Sequence, residues 1–270
     1  RLAAATDDAT EGLERFRLHE VADGLYHFFW GEICDWYLEL VKSRLGSDSD
    51  EADREAARTT LVTVLDGAFR LLHPIVPFVT AELWSRLPWP EGADRPEDLI
   101  IAPWPTTADA DRDEAVESDM AGFQSLVTEV RRLRKEYGVG EGQRIALMVH
   151  GGPTGFFESL SVRAAVEQLA RVNRLEAGSG SGVGANAVLS NGAELFVPLE
   201  GVIDVERERG RMENEIGRLA GVLAGVEKRL ANEKFVANAP EDVVNTARDN
   251  ARQLQDQVQK LRDKLVELGD

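Results

Sequence analysis

The sequence holds a single cysteine, Cys34, and only four scattered histidines. That excludes a disulfide framework and leaves no cluster of sulfur and imidazole ligands from which a zinc site could form. No catalytic, cofactor-binding or metal-binding residue is assigned. Any run of about 18 apolar residues is also lacking, so no membrane-spanning helix is expected. The first residues carry no secretory signal pattern. A monomer in a reducing cytoplasm fits these absences. Because the chain opens on Arg1 in the middle of a helical pattern, it reads as a piece of a longer polypeptide.

Positive charge is scarce too, at 31 Lys+Arg against 48 Asp+Glu, net −17, but it is unevenly spread. Residues 1–118 carry 11 basic against 25 acidic side chains, residues 119–200 carry 8 against 9, and residues 201–270 carry 12 against 14. Two segments are therefore near neutral, and what matters for a polyanionic partner is which faces their cations occupy.

The same divisions appear in the hydrophobic pattern, which predicts a mostly α chain. Residues 1–118 read as a helical bundle: one long helix over 9–45, a second over 54–73 ended by Pro74 and Pro77, and a third over 78–87. A proline-rich coil follows, with Trp89 and Trp104 expected to pack across helix ends. Trp30, Trp36, Tyr37 and Trp84 could stack on bases, but beside Leu and Val at helical spacing they are expected in the core. Residues 119–200 read as a small α/β unit: a helix over 120–139, a strand over 144–150, a helix over 161–176 and a hairpin over 187–199. That hairpin turns on Asn191-Gly192, a type I′ signal. The glycine-rich "GSGSGVG" at 178–184 has neither the preceding strand nor the following helix of a phosphate loop, so a flexible connection is expected.

Residues 201–270 carry apolar side chains at alternating spacings of three and four on two stretches, a heptad seam on each. The first holds Met212, Ile216, Leu219, Leu223, Val226 and Leu230; the second runs from Val244 to Leu268. An antiparallel coiled-coil hairpin turning near residue 237 pairs Leu230 with Val244, Val226 with Ala247, Leu223 with Ala251, Leu219 with Leu254, Ile216 with Val258 and Met212 with Leu261. That register sets Glu227 opposite Arg248, Glu213 opposite Arg262 and Glu208 opposite Lys264. Pro240 suits a first helical turn, and Phe235 and Val236 can fold back over the open end of the seam.

With this heptad assignment the outermost stripe of the first arm helix is Arg211, Asn214, Arg218, Gly221, Gly225 and Lys228, with no acid in it. Arg229 and Lys234 extend its basic character toward the tip. The second helix carries Asp249, Asp256 and Asp263 instead. Elsewhere the one concentrated basic run is "VRRLRK", with Arg131, Arg132, Arg134 and Lys135. All nine cations are candidate phosphate contacts, although a solvated helix face accounts for the run at 130–135 equally well.

"LANEKFVANAPEDVV" (230–244) followed by Arg248 resembles the tip of the C-terminal coiled coil of valyl-tRNA synthetases. "GLYHFFWGEICDWYLELVK" (24–42), "LLHPIVPFVTAELWSRLP" (71–88) and "LIIAPWP" (99–105) resemble the anticodon-binding region of the same family. Asn238 and Ala247 depart from the Lys and Glu usual there. The resemblance implies a class I anticodon-binding bundle lacking its first helix, a small α/β unit and a tRNA-binding arm. It further implies tRNA(Val) as partner, and valine activation by ATP in a nucleotide-binding domain whose motifs do not occur here. No cofactor, catalytic site or editing site is expected in this chain, and base-reading residues are not carried over. The alternative is a helical-bundle and coiled-coil module that docks a protein and no RNA.

Overall fold

A computed structural model describes residues 1–46, 49–89, 92, 95–108, 112–152 and 160–269; parts of the acidic break after 46 and of the proline-rich coil lie outside these, as does the side chain of Lys234. The chain divides into two units, Arg1–Ser118 and Asp119–Asp270.

In the first unit the helical pattern of 9–45 is interrupted. α1 (Leu2–Glu14) ends at a turn in which Phe16 takes φ +56, and α2 (Leu18–His27) starts anew. Gly12 makes this crossing possible: a Cβ there would lie 2.4 Å from Val21 Cγ2. From α2 the backbone winds through a π-helical stretch, Phe28–Tyr37, into α3 (Leu38–Leu45). Asp50 caps α4 (Glu51–Leu72) by accepting from the Ala52 amide, and Pro77 opens α5 (Pro77–Ser85) at a position where the missing N–H costs nothing. Two cores result. Ala9, Val21, Leu25 and Leu71 form one, with Trp104 against them; Phe69, Trp84 and Leu99 form the other, with Trp89 at its edge. Two of the indole N–H groups find the partners that buried indoles require: Trp104 donates to Thr10 Oγ1 at 2.8 Å and Trp84 to Asp66 Oδ1 at 2.6 Å. Trp30 departs from the expected core position, being about half exposed beside Tyr26.

α6 (Glu114–Glu136) carries the chain into the second unit, which builds a four-stranded sheet in the order β2-β1-β4-β3, from β1 (Ile145–His150), β2 (Val172–Ala177), β3 (Gly184–Val188) and β4 (Glu194–Pro198). The helix expected over 161–176 stops early. α7 (Leu160–Leu169) gives way at Arg171, whose φ of +55 ends it, and the remaining residues pair in parallel with β1. The hairpin is also not type I′. Only Gly192 has positive φ; its N–H reaches Leu189 O, and Leu189 pairs with Ala193, a three-residue loop with glycine in the left-handed position. The glycine-rich segment has a packing reason instead of a flexible one. Cβ atoms at Gly180 and Gly184 would lie 1.8 and 2.4 Å from the Phe196 ring.

The arm is the hairpin of α8 (Val205–Leu230) and α10 (Glu241–Glu267), joined through a short α9 (Glu233–Asn238). Its register differs from the expected one by a heptad. Gln255 Nε2 donates to Glu227 Oε1 at 3.0 Å. Under the expected pairing those residues would stand eight positions apart, about 12 Å along the axis at ~1.5 Å per residue, beyond the reach of the two side chains. Val226 likewise packs into the cluster of Leu219, Leu254 and Val258. The layers are therefore Val226 with Leu254, Leu223 with Val258, and Leu219 with Leu261. The cause is α9: the tip stays helical to Asn238, so the turn centres on Pro240. Val244 and Ala247, which now lie past the end of α8, are nevertheless buried.

None of the three cross-helix ion pairs forms. Glu208 binds Arg211 on its own helix, Lys264 pairs with Glu136 of α6, and Arg248 reaches Asn245. A Leu223→Cys/Val258→Cys pair (with Cys34→Ser) should oxidise to an intramolecular disulfide, while Leu219→Cys/Leu254→Cys should not, because bridged Cα atoms must lie within about 7 Å. Non-reducing electrophoresis separates the two registers.

At the base of the arm, the Tyr137 hydroxyl donates to the Glu267 carboxylate beside the Glu136–Lys264 pair. Burial first, then the bond to Glu267, raise the phenol above its ordinary value of 10.0. A raised pKa means that the folded state holds the proton more tightly. This contribution is complete below pH 10 and is lost as pH rises beyond it. Denaturant titrations should show wild-type stability falling more steeply than that of Tyr137→Phe between pH 9 and 11.

Candidate nucleic-acid interface

The nine cations singled out in the sequence do not form one site. On α6 the basic run is largely committed to the fold. Arg134 is buried, and its guanidinium donates to the carbonyls of Gly140 and Gln143 at 2.9 and 2.7 Å, closing the loop that leads from α6 into β1. Burial, and secondarily the charge of Arg171, pull it below the usual arginine range. A phosphate on the surface cannot reach it, so its place among the contacts is withdrawn. Its signal was present in the sequence: "VRRLRK" puts Val130, Leu133 and Arg134 on adjoining positions of one face, and the first two are buried. Arg131 donates to Leu169 O at 3.1 Å, tying α6 to the end of α7. Arg132 is held by Glu129 and Glu136, whose hydrogen bonds and charges raise it above the usual range. Lys135 is exposed and forms no ion pair among the described residues.

On the arm the outer stripe of α8 is open along its whole length: Arg211, Asn214, Arg218, Gly221, Gly225 and Lys228 are all exposed. Arg211 is forked onto Glu208 and Arg218 onto Glu215, each one turn back, and the Arg218 bond draws the Glu215 carboxyl below its ordinary range. Such solvent-screened pairs add little, so a phosphate can compete for either arginine. Lys228 forms no ion pair among the described residues. Arg229 does structural work at the tip: its guanidinium lies 4.9 Å from the centre of the Phe235 ring, holding that side chain against the end of α8. Lys234 stands on α9 beside it, its side chain outside the described residues.

Glycines make the stripe unusual. Gly210, Gly217, Gly221 and Gly225 all sit in α8, and a Cβ at any of them would meet nothing within 4 Å. No contact among the described residues requires them, although each costs roughly 1 kcal/mol relative to alanine in a helix interior. A bare, exposed backbone next to cations is a surface that another backbone can approach closely. On α10, Asp249, Asp256 and Asp263 are exposed in the opposite stripe.

The first unit is a helical bundle, and the second carries a long hairpin arm with one open, cation-bearing face. Residues 1–149 match the family described as the anticodon-binding domain of tRNA ligase, and the chain belongs to it. More particularly, residues 204–269 match the valyl tRNA synthetase tRNA binding arm. The chain is 38% identical over 249 residues to the valine–tRNA ligase of Brucella suis, which covers 92% of the chain and 27% of that protein. It is 35% identical over 272 residues to that of Nocardia farcinica, covering 100% of the chain and 29% of the relative. The ligase of Enterococcus faecalis is 35% identical over 255 residues, at 92% and 28%. The chain thus spans less than a third of the relatives it resembles. No helix among the described residues is long and apolar enough to cross a membrane.

Proposed function

We propose that the chain is the tRNA-binding portion of a valine–tRNA ligase of the cytoplasm. It would hold tRNA(Val) while valine and ATP react in a part of the enzyme outside these residues, and would itself carry no cofactor. The observation that supports this most is the open face of α8, where cations stand beside exposed glycines that no contact among the described residues requires. An arm of this shape gives binding energy and orientation without chemistry. Phosphate contacts from a long lever fix where the acceptor end of the RNA is presented.

The competing idea of a purely protein-docking arm is weaker on this face, since a protein partner does not demand bare backbone beside exposed cations. Filter binding of the chain to tRNA(Val) and to a non-cognate tRNA over a range of salt decides the matter. Affinity should fall steeply as salt rises, with a preference for tRNA(Val). Binding that is weak and independent of salt would leave the protein-docking alternative standing.

A further inference from the structure

Both legs of the arm are held at their base by one short stretch of chain, residues 136–143, which runs from the end of α6 into the loop before β1. On one side Gln143 Nε2 donates to Val202 O at 2.7 Å, just before Asp204 caps α8. On the other, Tyr137 donates to the Glu267 carboxylate, and Glu136 pairs with Lys264 one turn earlier on α10. The stretch is itself fixed from within. Arg134 donates to the carbonyls of Gly140 and Gln143, and Arg132 holds Glu136 from the α6 side. Tyr137 is 2% exposed, and Leu268, directly after Glu267, is 1% exposed. α8 and α10 thus share a single socket, all of it inside the Asp119–Asp270 unit.

We infer that Tyr137 and Gln143 are positioning residues for bound tRNA, acting through the direction of the arm; the inference rests on the proposed function above. Apolar burial, at Leu268 and at Met212 near the start of α8, is non-directional and resists detachment of the arm. Hydrogen bonds weaken steeply once bent, so one bond at the foot of each helix resists tilt. Tilt matters because the arm is a long lever. α8 alone has 26 residues, and at ~1.5 Å per residue a tilt of ~10° at its base carries the tip roughly 7 Å. RNA gripped by the cations of the α8 stripe moves with it. The grip and the aim are therefore separate tasks: the stripe supplies affinity, and the socket sets where the acceptor end is presented. Misplacement by ~1 Å is enough to slow a reaction severely.

The test pairs a distance with a rate. In the 270-residue chain carrying Cys34→Ser, nitroxides at Asn173→Cys on β2 and Glu233→Cys on α9, both exposed positions, report the arm's direction by double electron–electron resonance. Tyr137→Phe combined with Gln143→Met should broaden or displace that distance distribution by several ångström. Glu267→Gln keeps an acceptor for the Tyr137 hydroxyl and should retain the wild-type distribution. In the full-length ligase the double variant should lower kcat for aminoacylation of tRNA(Val) about tenfold. Its Kd for the tRNA, the salt slope of binding and valine-dependent pyrophosphate exchange should stay at wild-type values. An arm that is merely destabilised would lose phosphate contacts and show a lower salt slope instead, and that result overturns the inference. An unchanged distance distribution or an unchanged kcat overturns it too. Should the double variant not fold, Gln143→Met alone carries the same comparison. Wild-type binding that is weak and independent of salt would remove the proposed function, whereas the distance measurement, made without RNA, reads the socket separately.

Discussion

Arg134→Met should lower the melting midpoint of the Asp119–Asp270 unit by about 5–10 °C, the shift expected for a loss of about 2–3 kcal/mol in a unit of this size. The side chain is buried on α6, and its guanidinium satisfies two carbonyls of the 140–143 loop, with a longer contact to Arg171 O. Methionine keeps most of the volume and removes all the donors, so those carbonyls lose their partner in a place where water does not easily replace it. Arg134→Lys should recover only part of the loss, because an ammonium on a flexible stem cannot span the carbonyls that a rigid fork reaches together. Differential scanning calorimetry measures the midpoint, and a tRNA titration below both midpoints completes the test. The salt dependence of binding should be unchanged, since this cation makes no phosphate contact. A drop in salt slope with no drop in midpoint would return Arg134 to the interface.

How far each element could be read from the sequence follows from how local its cause is. The heptads of α8 and α10 are set by residues three and four apart, and the helices stand where that spacing puts them. Their mutual register is set at the tip, by whether 233–238 is loop or helix. Six residues of "EKFVAN" carry too little periodicity to decide it. Once Asn232 starts a helical turn by accepting the Phe235 and Val236 amides at its carbonyl, the turning point moves to Pro240 and every layer shifts together. β2 was hidden for a similar reason. "VNRLEA" continues an acceptable helical pattern, and only the left-handed φ of Arg171 and the partner strand β1 make it extended. The glycines at 180 and 184 were legible as glycines but not as contacts, because the ring they admit, Phe196, lies across the sheet. At the candidate interface, the open stripe of α8 could be read from the heptad alone. The burial of Arg134 was signalled by its place beside Val130 and Leu133, and the capture of Arg132 by carboxylates three and four residues away; the partners of Arg131 and of the Arg134 guanidinium, a helix end and a loop, were not legible.

The stripe of α8 yields the sharpest expectation, because stability and binding should move in opposite directions. Gly221→Ala and Gly225→Ala add a Cβ that meets nothing, and each should stabilise the arm by roughly 1 kcal/mol through helix propensity alone. Neither change removes a charge or a contact. If tRNA backbone packs on the bare turns between Arg218 and Lys228, however, a larger side chain must push it away. Gly221→Leu should therefore raise the unfolding midpoint of the arm while weakening tRNA(Val) binding in the full-length enzyme about tenfold, comparable to losing one good contact of ~1.4 kcal/mol. Lys228→Glu should weaken binding by a similar factor and lower the slope of log affinity against log salt by about one. Arg218→Glu should act in the same direction but less strongly, because its cation is already shared with Glu215. Asp256→Asn, on the far stripe, should leave affinity nearly unchanged. The deciding comparison is Gly221→Leu against Asp256→Asn, with circular dichroism melts for the arm and filter binding for the RNA. A stabilised Gly221→Leu enzyme that binds tRNA as well as wild type would mean that α8 turns its glycines to solvent and that the RNA lies elsewhere.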